Sequence, residues 1–150
     1  MKLTRIEFLK TLGLITGGVV TLPLSANIIS CAASKQIQIE SVRAINGRVD
    51  FNISKNKALS RAGDYTFLEI EGSNIKIYLI RKSSNSFLAL DTRCTHLGCE
   101  IIKRETFFEC PCHGSEFDLD GKVLQGPASV SLKSYRTEFD NYGNISIYLQ

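Results

Sequence analysis

From residue 37 onward the chain alternates apolar and polar positions with the period of a β-strand. The alternation is plain in Ile37-Gln38-Ile39, in Val49-Asp50-Phe51-Asn52-Ile53 and in Tyr65-Thr66-Phe67-Leu68-Glu69-Ile70. Successive strand side chains point to opposite faces, so this is the pattern of a sheet with one face covered. Two further apolar runs, 75–80 and 87–90, flank the polar stretch 81–86 and read as a hairpin. Asp118-Leu119-Asp120-Gly121 reads as a turn between short strands around Phe117 and Val123. A short strand is expected over 106–109, and the last two strands, 135–139 and 145–149, pair across Asp140-Asn141-Tyr142-Gly143-Asn144. Tyr65, Phe67, Tyr78, Phe87 and Tyr148 take the places of sheet-core or cross-strand aromatics. No stretch after residue 36 has helical periodicity. The pattern therefore predicts an all-β, antiparallel β-sandwich or barrel with a small subdomain inserted over residues 91–128.

The first thirty-odd residues follow a different rule. A basic head with Lys2, Arg5 and Lys10 precedes a stretch from Thr11 to Ser34 that carries no charge. That is the build of an export signal, a positive region followed by an apolar core. Its head resembles a twin-arginine signal with Ile6 in the place of the second arginine. Ile28-Ile29-Ser30-Cys31 resembles a bacterial lipobox, which makes Cys31 the lipidated residue. An uncleaved signal-anchor helix is the alternative, since about twenty apolar residues cross a bilayer. The expected organisation is a leader over 1–30, a tether over 31–36 and one β-domain over 37–150. On either reading the domain is tethered to a membrane, on the outer face of the cytoplasmic membrane or in the periplasm.

Charge narrows the partners. Beyond residue 30 the chain has fifteen Lys/Arg against fourteen Asp/Glu, close to neutral. No basic stripe runs along any strand, and Lys55, Lys57 and Arg61 read as a solvated loop face, so nucleic acid is not an expected partner.

The chemistry is concentrated between Cys94 and Ser115. Cys94-Thr95-His96-Leu97-Gly98-Cys99 and Cys110-Pro111-Cys112-His113-Gly114-Ser115 hold four of the five cysteines and both histidines. Two thiolates with two imidazoles suit a mononuclear zinc or a [2Fe–2S] cluster held on one iron by histidines. An all-cysteine zinc site on Cys94, Cys99, Cys110 and Cys112 would leave both histidines idle. A plain two-disulfide knot would not explain where the histidines stand. Blue copper is poorly served, because the only methionine is Met1.

These two boxes closely resemble the Rieske iron–sulfur family, in particular its high-potential, disulfide-bearing branch, the Rieske subunits of quinol:cytochrome c reductases. The resemblance covers roughly residues 37–150, with its specificity in the loops. It implies a Rieske fold with a cluster-binding insertion. It further implies that Cys94 and Cys110 hold one iron of a [2Fe–2S] cluster, that His96 and His113 hold the other, and that Cys99 and Cys112 form a disulfide. Ser115 matches a serine that donates to a cluster sulfur, Leu97 a residue that shields the cluster, and Gly126-Pro127-Ala128 a proline-bearing covering loop. Phe117 stands where relatives commonly carry a tyrosine whose hydroxyl reaches a ligand cysteine. Imidazole ligands make such a cluster less negative than an all-thiolate one, with potentials of roughly −150 to +300 mV. The function implied is a membrane-tethered one-electron carrier. It would take electrons from a quinol-oxidising cytochrome b-type complex and pass them to a c-type cytochrome. The alternatives are the small electron-transfer subunit of an exported molybdenum oxidase, arsenite-oxidase-like, and a cluster-free surface module stabilised by a disulfide or zinc. With only two histidines in the chain, no second iron site of the oxygenase kind can be built. No catalytic residues are expected, and any oxidoreductase activity would belong to a larger complex.

Overall fold

In the computed structural model, residues 39–150 are described, and they belong to one compact unit that begins at Lys35. The leader, Cys31 and the first residues of the strand expected at 37 lie outside the described residues. Eleven strands follow in chain order: β1 (Ile39–Val42), β2 (Arg48–Asn52), β3 (Tyr65–Ile70), β4 (Lys76–Arg81), β5 (Phe87–Asp91), β6 (Ile102–Lys103), β7 (Phe108–Glu109), β8 (Glu116–Phe117), β9 (Val123–Gln125), β10 (Ser134–Phe139) and β11 (Asn144–Tyr148). They form a seven-stranded sheet in the order β1-β3-β4-β5-β10-β11-β2 and a four-stranded sheet in the order β6-β7-β8-β9. The all-β expectation holds, with the small sheet inserted between β5 and β10.

Two features depart from the sequence reading. Strand β1 pairs with β3 in parallel, Ile39 opposite Phe67 and Val42 opposite Ile70, whereas the other strand pairs are antiparallel. A parallel pair needs a long crossover, here supplied by β2 and the segment after it. That segment also contains two short 3-10 turns, Ile53–Lys55 and Lys57–Leu59. Each is started by an asparagine: Asn52 Oδ1 accepts from the Ser54 amide at 3.0 Å and Asn56 Oδ1 from the Ala58 amide at 2.7 Å. Side-chain caps of this kind stabilise single turns in a sequence without helical periodicity.

Strand β4 shows how the alternation builds two cores. Ile77 and Leu79 point into a cluster with Val49, Phe51, Leu68, Ile145 and Ile147. Tyr78 and Ile80 point the other way, into a cluster with Phe67, Leu90, Ile101, Phe108 and Phe117. The first core fills the space enclosed by the large sheet, and the second joins that sheet to the small one. Both faces of β4 are thus covered, which is why its residues 77–80 read as an unbroken apolar run. Phe108 and Phe117, opposite each other across β7 and β8, are fully buried beneath the two cysteine boxes. Burying an aromatic of this size contributes about 1.5–3 kcal/mol. This second core is therefore a firm floor for the loops above it.

Candidate functional site

The two boxes fold into loops of the same design. In the first, the Cys94 amide donates to the Cys99 carbonyl at 2.7 Å and the Gly98 amide to the Cys94 carbonyl at 2.9 Å. In the second, the Cys110 amide donates to the Ser115 carbonyl at 2.8 Å and the Gly114 amide to the Cys110 carbonyl at 2.9 Å. Gly98 and Gly114 have φ of 78° and 75°, a region that side chains with a Cβ rarely adopt. The fifth position after the leading cysteine, Cys99 in one loop and Ser115 in the other, closes each turn.

A disulfide joins the loops: Cys99 and Cys112 are bonded, with their Cα atoms 6.5 Å apart. Other ties hold the third loop to both. The buried Ser115 hydroxyl oxygen accepts from the Ala128 amide at 2.9 Å, beside the cis Gly126–Pro127 bond. Gln125 Nε2 donates to the Gly114 carbonyl at 3.2 Å, and Thr95 Oγ1 donates to the Val130 carbonyl at 2.5 Å. The first loop is strapped to the large sheet by Tyr78, whose hydroxyl donates to the Ile101 carbonyl at 3.3 Å, and by the Lys76–Glu100 ion pair at 2.9 Å.

The expected donors fall into two pairs. Cys94 and Cys110 are both free and buried, and they interact with each other. Burial raises the Cys110 thiol above its ordinary value and the neighbouring Cys94 adds to this, against the opposing amides of Cys112 and His113. The rings of His96 and His113 meet edge to face, with centroids 4.9 Å apart. His96 Nδ1 is buried without a hydrogen-bond partner, while His113 is exposed.

Among the described residues, the donor atoms gathered closely enough to share a metal are the sulfurs of Cys99, Cys110 and Cys112, all within 4.8 Å of one another. No histidine belongs to that group, and two of its sulfurs are bonded to each other. A disulfide sulfur carries no thiolate charge, so the group reduces to the single donor Cys110. Two expectations are corrected on this finding. One is the [2Fe–2S] cluster as cofactor. The other is the function built on it, a cluster-borne one-electron carrier between a quinol-oxidising complex and a c-type cytochrome.

The remaining expected residues sit around this tip. Leu97 is 69% exposed and stands clear of the protein, and Pro127 and Gly126 are also exposed. Phe117 is buried in the second core. Sequence reasoning missed the group behind the first loop, in which buried Asp91 accepts from Arg93 and from the Tyr135 hydroxyl. The only hint in the sequence was a charged Asp-x-Arg pair at the end of an apolar strand.

The model of the Rieske [2Fe-2S] domain family matches residues 51–136, and the chain belongs to that family. It is 36% identical over 96 residues to the cytochrome b6-f complex iron-sulfur subunit 1 of Nostoc, covering 61% of this chain and 54% of that protein. It is 40% identical over 88 residues to the cytochrome b6-f complex iron-sulfur subunit of Synechococcus elongatus, covering 55% and 48%. The chain thus spans about half the length of the curated relatives it matches. Among solved structures, a quaternary ammonium Rieske monooxygenase with bound L-carnitine shares the fold, with a TM-score of 0.53 and 22% identity over 66% of this chain and 30% of that one.

Proposed function

We propose that this member of the Rieske family is a disulfide-stapled subunit of a membrane-bound redox complex of the cytochrome b6-f kind. It docks through the end where its three loops meet. The observation that supports this reading is the exposed apolar tip. Leu97 is 69% exposed and Val130 is 63% exposed, on segments tied together by the Thr95–Val130 hydrogen bond. Exposed aliphatic side chains brought together on adjoining loops fit a surface that a partner covers. The partner surface is accordingly apolar, on an integral-membrane subunit of the b-type cytochrome class. Relatives at 36% and 40% identity carry the name of such a complex.

The disulfide suits an oxidising, extracytoplasmic compartment. Among the described residues no helix is long and apolar enough to cross a membrane. The tether we assign is the leader, through lipidated Cys31 or an uncleaved anchor. Cys94, His96, Cys110 and His113 are assigned to the site at the tip as two pairs, the thiols and the imidazoles.

The docking itself is tested by purifying the tagged full chain from detergent-solubilised membranes of its own organism. The wild type is expected to bring an integral-membrane subunit containing b-type haem. Leu97→Asp with Val130→Asp is expected to lose it while keeping the thermal midpoint. A wild type that elutes alone, or a double variant that keeps the partner, overturns the reading.

A further inference from the structure

Asp91 stands where the chain leaves the large sheet for the first loop. Its amide donates to the Lys133 carbonyl at 2.8 Å, and its Cα is in register with Ile77 of β4. Its side chain is only 3% exposed. Oδ1 accepts from the Arg93 amide at 2.9 Å and from Arg93 Nε at 3.1 Å. Oδ2 accepts from Arg93 Nη2 at 2.9 Å and from the Tyr135 hydroxyl at 2.7 Å. The carboxylate therefore has four donors, three of them on one residue two positions ahead.

A buried carboxylate is costly to desolvate, and an apolar residue of similar volume often stabilises a fold as well. What this arrangement supplies is direction. The bidentate side-chain grip and the amide bond together leave Arg93 one orientation relative to Asp91. Arg93 immediately precedes Cys94 and forms a backbone bridge with Glu100 on the far side of the loop. Tyr135, on β10, anchors the same carboxylate to the large sheet. Thr92, between the two, is bonded through its amide to the Lys76 carbonyl at 3.1 Å and through its carbonyl to the Ile101 amide at 2.8 Å.

We propose that Asp91 is a positioning residue. By clamping Arg93 against Tyr135, it sets the direction in which the loop carrying Cys94, Leu97 and Cys99 leaves the sheet. The proposal concerns the isolated chain and stands whether or not the tip docks as assigned above.

Amide hydrogen exchange in the full chain tests it, comparing wild type with Asp91→Asn, Arg93→Gln and Tyr135→Phe. In Asp91→Asn the amides of Arg93, Cys94 and Ile101 are expected to exchange about tenfold faster or more, with Leu68, Leu79 and Ile147 unchanged. Arg93→Gln is expected to move the same loop amides in the same direction. The Arg93 side chain is 52% exposed, so its loss leaves both cores intact and that variant decides the matter if Asp91→Asn does not fold. Tyr135→Phe is expected to have a smaller effect, confined to the same amides. Unchanged loop exchange in Arg93→Gln, or faster exchange spread equally over Leu68, Leu79 and Ile147, overturns the proposal.

Discussion

Breaking the Cys99–Cys112 bond should cost the domain about 3 kcal/mol at 25 °C. The residues are 13 apart, and closing a loop of that size in the unfolded chain removes entropy worth about that amount. In a domain of this size the loss corresponds to a drop in thermal midpoint of roughly 10–20 °C. Three variants are needed, because Cys99→Ser and Cys112→Ser each leave a thiol within 4.8 Å of Cys110 that can pair with it. Cys99→Ala with Cys112→Ala removes that escape. Where the thiol count shows no new pair with Cys110, each variant breaks the same single bond, so the three losses should be nearly equal rather than additive. Wild type treated with a reductant should match the double variant. Calorimetry at one pH, with thiol counts before and after denaturation, measures all of this. A double variant within about 0.5 kcal/mol of wild type, or singles that add up in the double, would refute the reasoning.

Further outcomes follow from the floor and the loop turns. Phe117→Ala should destabilise the domain by about 3–5 kcal/mol, because the ring is fully buried between the small sheet and β4; urea denaturation checks it. Gly114→Ala should cost about 1 kcal/mol through strain at φ 75° alone, since nothing lies within 4 Å of the added methyl; the same titration reads it. Asp91 supplies a pH dependence. Burial raises its carboxyl, but the donors on Arg93 and Tyr135 outweigh this and hold it below its ordinary 3.8. Its folded value is therefore depressed, so its contribution is present above pH 3.8 and is lost as pH falls through the folded value. The difference in thermal midpoint between wild type and Asp91→Asn should shrink over that acid range and stay constant from there to neutral pH.

Much of the architecture was legible because strand periodicity is a direct record of which face is buried. The alternation in 65–70 and the apolar run in 75–80 gave β3 and β4, and the turn at 118–121 separates β8 from β9. The parallel pairing of β1 with β3 was not legible. Alternation says which face a strand buries but nothing about the direction of its neighbour, and the crossover was hidden in turns held by single asparagines. The pairing of Cys99 with Cys112 was implied by family resemblance, while the spacing alone allowed several arrangements. The same spacing could not say which sulfurs would be closest. The compact trio of sulfurs gathered around the disulfide, with no histidine in it. Asp91 was missed because its partner Tyr135 is 44 residues away, brought in by the pairing of β10 with β5.

Site-specific photo-crosslinking tests the docking assignment most directly. A photoreactive phenylalanine analogue is placed at Leu97 in the tip, and in a second protein at Tyr142, an exposed aromatic on the β10–β11 turn. After irradiation in native membranes, crosslinked products are identified by haem staining and peptide mass. The account predicts one dominant product from Leu97, joined to an integral-membrane subunit containing b-type haem, and none from Tyr142. Equal products from both positions, or none from Leu97, would contradict it.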